Sequence, residues 1–440
     1  MLPLRTGTRV AVLGGFAVDP QYQGGGSSHV NPTQVDIPLD ELRSVLGDDN
    51  VAYAEGYSKH ATVGAATLLE EARKAAASAD VAVVFAGLYE VDQSEGFDRD
   101  DIDLPPAHVE LIQAVAAVAK RTVVVLMNGG VVTLEPWHDS VDAIVEGWAL
   151  GQGVGGALAD VLTGSVNPSG RLAETIPFAV ADNPSYLNFP GENCTVRYGE
   201  GVFVGYRYYT TVQRETRYAF GHGLSYTTFS HEGLDVVATG ADTARARVTV
   251  RNTGQVAGGD VVQFYVAPAP SRVRRPVREL AGFVKVHLEP GESTVVEVEL
   301  DRRVFAFWDI TADRWLVEPG TYTVQLGRSA VEIVDEAAVA LAGDTDRPKP
   351  LSLDSTVGDW FGHPVVGPAL MHAMMAGASD EQLAAAEDNG NMLKMVESMP
   401  MAQFARFPGV EIPDEALDQL IALSLSAAEE PVSETVGVGV

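Results

Sequence analysis

The chain has 440 residues, 46% of them hydrophobic, a length that suggests about three domains with sizeable cores. Its 30 Lys and Arg stand against 60 Asp and Glu, and a net charge of −30 excludes chain-wide affinity for nucleic acid or an anionic membrane, whereas neutral or cationic ligands are easier to accommodate. The single cysteine, Cys194, excludes an intrachain disulfide framework and a cysteine metal cluster; with no apolar leader or span visible around Arg5 and Arg9, a cytoplasmic location is expected.

From Arg9-Val10-Ala11-Val12-Leu13-Gly14 onward, short apolar runs alternate with alanine-rich helical stretches, the pattern of a mostly parallel sheet sandwiched by helices. Further strands are expected at 81–85, 122–127 and 143–148, and helices near 65–77, 107–119 and 155–162. Each strand runs into a loop containing glycine: Gly24-Gly25-Gly26, the stretch around Glu95, Asn128-Gly129-Gly130, and Gly151-Gln152-Gly153. If the strands are parallel, the four loops share one edge, a crevice in which glycine lets the backbone approach a ligand.

The stretch Ser94-Glu95-Gly96-Phe97-Asp98-Arg99 stands out, because it follows the apolar run 82–87 and leads to Pro105, which opens a helix. A carboxylate before glycine at the carboxyl end of a strand is suitably placed for proton transfer, which makes Glu95 the candidate. On residue types alone, a solvated acidic loop capping the next helix is the commoner reading. Asp98, beside Arg99, reads as an ion-paired organiser of the loop. The run Gly151-Gln152-Gly153-Val154-Gly155-Gly156 fits a dinucleotide fingerprint in form, but Asn167-Pro168-Ser169-Gly170 breaks the chain where the second strand should follow, so close packing of a helix on the sheet is expected instead.

Residues 175–229 lose the helical period and are rich in proline, glycine and aromatics, as in an ordered arm packing a domain seam; stacking on sugar rings is the other use of such tyrosines. His222, between two glycines, is read as structural. From about 235 to 335, short strands recur between turn signals, including 246–251, 261–266, 283–286, 295–300 and 322–326, the mark of an all-β sandwich. Arg272-Val273-Arg274-Arg275 is read as a set of local ion-pair partners. Beyond a linker at 344–350, helices are expected near 365–375, 381–395 and 413–423, with methionines filling gaps in their core.

The run Ser94 to Arg99 is similar to the Ser-Glu-Gly-aromatic-Asp-Arg pattern of the β-glucosidases of glycoside hydrolase family 3, and further resemblances are Asn167-Pro168-Ser169-Gly170-Arg171-Leu172, the Tyr206 segment and Phe220-Gly221-His222-Gly223-Leu224-Ser225-Tyr226. The resemblance implies an α/β domain over 1–231, a fibronectin type III-like domain over 232–335, and a linker with helical tail over 336–440. It also implies that Glu95 is the general acid/base of a retaining hydrolase and that Ser94, Phe97, Asp98 and Arg99 bind substrate or organise the loop. The nucleophilic Asp of the family comes from an N-terminal (β/α)₈ barrel. No such barrel is visible here, since Met1-Leu2-Pro3-Leu4 resembles the entry to the second domain, and Gly358-Asp359-Trp360 is not carried over as a nucleophile. Expected partners are a β-linked glucoside, xyloside or oligosaccharide and a barrel-bearing chain, with no cofactor or metal. The reading from another class is a non-catalytic carbohydrate-binding or scaffolding module.

Overall fold

The structure is a computed structural model and describes residues 1–58, 64–96, 98–310, 312–344, 348–375, 394–407, 410 and 412–429. Two compact units divide the chain, Met1–Gly343 and Asp344–Val440.

The first unit opens with five parallel strands in the order β2-β1-β3-β4-β5: β1 Val10–Leu13, β2 Val51–Ala54, β3 Val81–Gly87, β4 Thr122–Met127 and β5 Ala143–Glu146. Every residue of β1, β3 and β4 is buried, because helices cover both faces. The period of two sorts the side chains. Ala82, Val84 and Ala86 of β3 meet the core shared with α2 (Ala65–Ser78) and α3 (Pro106–Ala116), while Val81, Val83 and Phe85 meet the core shared with α1 (Pro38–Leu46) and α4 (Val154–Thr163). The expected strands and helices all form. Around this sheet two elements went unforeseen, α1 and the edge strand β2, whose four residues include only one that is fully buried, too short a pattern to read.

The helix α4 packs on the sheet as expected, through Val154, Leu158 and Leu162, whereas at Gly155 a Cβ would stand 2.7 Å from the carbonyl carbon of Asp36, so that glycine's close approach is to the segment entering α1.

The sandwich consists of a sheet β10-β7-β6 and a sheet β14-β13-β8-β9, all antiparallel, plus a small hairpin β11-β12. Their bounds are β6 Phe229–Ala238, β7 Ala244–Asn252, β8 Gly258–Ala267, β9 Glu279–Leu288, β10 Ser293–Leu300, β11 Phe307–Asp309, β12 Arg314–Leu316, β13 Gly320–Gly327 and β14 Ile333–Leu341. β7 alternates strictly between buried and exposed residues, with Ala244, Ala246, Val248 and Val250 turned into the core.

The aromatic arm is a seam in its second part only. The ring of Tyr206, which opens α5 (Tyr206–Thr211), stacks 4.6 Å from Phe220, and its hydroxyl accepts a hydrogen bond from the Leu280 N–H of β9 at 2.7 Å. Earlier in the arm, Leu187 and Tyr198 are exposed. Asn167 accepts from Ser225 Oγ at 2.9 Å and donates to the Ala257 carbonyl at 3.0 Å, and Arg171 reaches Asp260 of β8 at 2.8 Å. His222 also serves structure: its carbonyl accepts from Leu172 N–H at 2.8 Å and its ring lies 4.8 Å from that of Tyr218.

The basic stretch is absorbed locally. Arg272 pairs with Asp309, Arg275 donates to the Phe305 carbonyl at 2.7 Å, and Arg274 lies 5.7 Å from the ring of Phe203.

In the second unit, helices Val366–Met375 and Asp414–Glu429 contribute to a small core around Trp360. The helix expected at 381–395 lies largely outside the described residues. Met399 and Met401 fill the core, whereas Met371 and Met395 are exposed. Asp359 accepts from the Thr356 N–H at 2.9 Å in a reciprocal capping box, a helix-starting role. Among the described residues, no helix is long and apolar enough to cross a membrane.

Candidate active site

Because the strands are parallel, the loops leaving β1, β3, β4 and β5 gather at one edge, and they are tied to one another. Ser94 forms a parallel bridge with Gly25. Gly129 N–H donates to Gln93 Oε1 at 2.5 Å, and Gly151 N–H donates to the Tyr22 carbonyl at 2.8 Å.

At the centre of these ties, Ser27 N–H donates to Glu95 Oε2 at 2.7 Å. Gly26 makes the approach possible: its φ is +81°, and a Cβ there would stand 2.5 Å from Glu95 Cβ. Here the glycine accommodates the facing loop, where the sequence suggested room for a ligand. Glu95 is exposed, and its carboxyl is held below the usual range by the Ser27 side chain and then by the Ser27 N–H.

The other candidates surround it unequally. Ser94 is partly buried, and among the described residues its Oγ makes only a long contact, 3.5 Å, to its neighbour's carbonyl. Asp98 is exposed. Arg99 turns to the Val131 carbonyl at 3.0 Å, and among the described residues it makes no ion pair with Asp98. Burial lowers the pKa of Arg99, and Asp101, Asp92 and Asp103 oppose that shift. Thus the arginine clamps the loop to the segment after β4 by a main-chain contact. Phe97 lies outside the described residues.

Two further groups were not foreseen. His108, fully buried on α3, accepts from Gly87 N–H through Nδ1 at 3.2 Å, so its Nε2 carries the proton toward Tyr89 Oη, 2.9 Å away. This contact ties the root of the Glu95 loop to the helix beneath it. A polar residue among Leu111, Ile112 and Val115 on one helix face was the available signal. Glu146 ends β5, partly buried, and accepts from Trp148 N–H at 3.0 Å; burial pushes its pKa up to about 8. Among the described residues, no cluster of His, Cys, Asp and Glu could hold a metal ion.

A parallel α/β sandwich presenting Ser-Glu-Gly at its carboxyl edge, joined to an antiparallel sandwich, is the architecture that the resemblance to the glycoside hydrolases implied. Residues 1–226 match the glycosyl hydrolase family 3 C-terminal domain and residues 260–330 a fibronectin type III-like domain, so the chain belongs to glycosyl hydrolase family 3. It is 44% identical over 401 residues to an exo-α-(1→6)-L-arabinopyranosidase of Bifidobacterium longum, covering 91% of this chain and 52% of that protein. It is 42% identical over 429 residues to the thermostable β-glucosidase B of Acetivibrio thermocellus, covering 96% and 56%. The crystal structure of a family 3 β-glucosidase of Bifidobacterium adolescentis superposes with a TM-score of 0.79 at 47% identity, over 84% of this chain and 54% of that one. The chain therefore spans about half the length of the relatives it matches.

Proposed function

We propose that this chain supplies the general acid/base, Glu95, of a retaining hydrolase acting on terminal β-glucosyl residues, and that the nucleophilic carboxylate comes from a barrel-bearing segment outside these 440 residues. The observation that carries the reading is the position of Glu95: a carboxylate on the loop after β3, fastened to the loop after β1, at the edge where four strand ends meet. Family membership and relatives named β-glucosidases support the substrate class. The relative named an arabinopyranosidase, at 44% identity, favours a second substrate, a terminal α-L-arabinopyranosyl residue, for the same two-carboxylate chemistry.

Retaining hydrolysis needs the two carboxyl groups about 5–5.5 Å apart, one attacking the anomeric carbon and the other protonating the departing oxygen and later activating water. On this reading the chain by itself does not cleave aryl β-glucosides. Combined with the barrel-bearing segment, Glu95→Gln should cut turnover of alkyl glucosides roughly 10²–10⁴-fold, the usual contribution of a general acid. Release of an activated aryl group should suffer less, and a covalent glycosyl intermediate should accumulate because water is no longer activated. Bond-breaking rates for good and poor leaving groups test this. Equal losses on both would remove Glu95 from the role.

A further inference from the structure

The two oxygens of Glu95 are not equivalent. Oε2 accepts from the Ser27 N–H at 2.7 Å, while Oε1 accepts no hydrogen bond from any described residue; the Ser27 side chain also lowers the pKa of the carboxyl. Gly26 holds that oxygen close, since a Cβ there would stand 2.9 Å from Oε2. We propose that Ser27 is a positioning residue for Glu95, engaging Oε2 so that Oε1 is the oxygen that hands over and takes back the proton. The assignment rests on the acid/base reading of Glu95.

In the first step, the proton on Oε1 passes to the glycosidic oxygen as the C1–O bond breaks and its electron pair stays on that oxygen. The nucleophilic carboxylate supplied outside this chain bonds to C1. In the second, ionised Oε1 takes a proton from water as the water oxygen bonds to C1 and that carboxylate leaves. Throughout both steps Oε2 can keep its N–H donor, because a carbonyl oxygen and a carboxylate oxygen both accept. The donor favours the ionised form more strongly, so the same contact prepares Glu95 for its role as base.

Glu90 packs beside Gly25, and the same loop carries Asp92, Asp98, Arg99, Asp100, Asp101 and Asp103, while the facing loop carries Asp19, His29 and Asp36. Ser27 is thus the group on the facing loop that a substitution can remove without changing charge.

The test is a carboxyl ¹³C titration of the full 440-residue chain with labelled glutamate, the Glu95 signal being identified by its loss in Glu95→Gln. Ser27→Ala keeps the N–H and removes the hydroxyl; Ser27→Pro removes both. The Glu95 midpoint should rise in Ser27→Ala and rise further in Ser27→Pro, and the Ser27 amide resonance of the wild type should titrate with the same midpoint. Should Ser27→Pro fail to fold, Ser27→Ala and the amide resonance decide. An unchanged midpoint, or an amide that ignores the titration, overturns the assignment. With the barrel-bearing segment present, Ser27→Ala should also move the alkaline limb of the kcat/KM profile to higher pH, because the acid keeps its proton longer. The titration needs no turnover, so failure of the Ser27 assignment stays distinct from failure of the acid/base reading, which the comparison of leaving groups decides.

Discussion

Two carboxyl groups in this chain are displaced in opposite directions by their surroundings. Glu95, exposed, is held low by donors from a facing loop; Glu146, partly buried at the end of β5, is pushed up to about 8 by loss of solvation. The Glu146 displacement has a stability consequence. Between the ordinary carboxylate range and about pH 8 the folded chain binds a proton that the unfolded chain has released, so stability falls as pH rises through that window, each unit being worth about 1.4 kcal/mol. Glu146→Gln should flatten that decline, measured as the unfolding midpoint against pH; a decline of unchanged steepness would show that Glu146 does not titrate there. Glu95 was legible in the sequence because a carboxylate beside glycine follows an apolar strand. Glu146 was not, since its burial arises only in the folded chain, where Asn128 also reaches its carboxyl.

At the scale of elements, the junction of the α/β half with the antiparallel half depends on Asp260 of β8. Its carboxylate accepts from Arg171 at 2.8 Å and from His231 of β6 at 2.7 Å, and all three side chains are largely buried. Burial would raise the pKa of Asp260, but His231 and Arg171 hold it below the usual range. Asp260→Asn would leave Arg171 buried without its counter-charge and should cost about 3 kcal/mol or more, read as a lowered midpoint in denaturant with little change in slope. A loss under about 1 kcal/mol, the range of an exposed pair, would mean that solvent reaches the junction. Neither Asp260 nor His231 was singled out from sequence. Each lies on a strand whose pattern shows which face it takes but not which distant element will meet that face. The same limit explains the arm: its tyrosines suggested a seam, yet Tyr206 finds Phe220 and β9 while Tyr198 stays exposed.

For the whole molecule, the division at Gly343 predicts that a chain ending there folds as the full chain does. Calorimetry of residues 1–343 should show the main transition of the intact protein at an unchanged midpoint; a marked fall would mean that the second unit contributes to the stability of the first. Apart from α1, β2 and α5, the parallel sheet, the antiparallel sandwich and the helical tail were determined by the sequence, because apolar periodicity and turn residues are local properties that each segment carries with it. The motif at Ser94 to Arg99 likewise needs no fold to be seen. Only the tertiary structure decided what faces it. Glu95 meets Ser27 from 68 residues earlier, Arg99 turns to the Val131 carbonyl and not to its neighbour Asp98, and the glycines at 25 and 26 bring loop against loop. Those pairings follow from the order in which parallel strands are laid side by side, a property that belongs to no single segment.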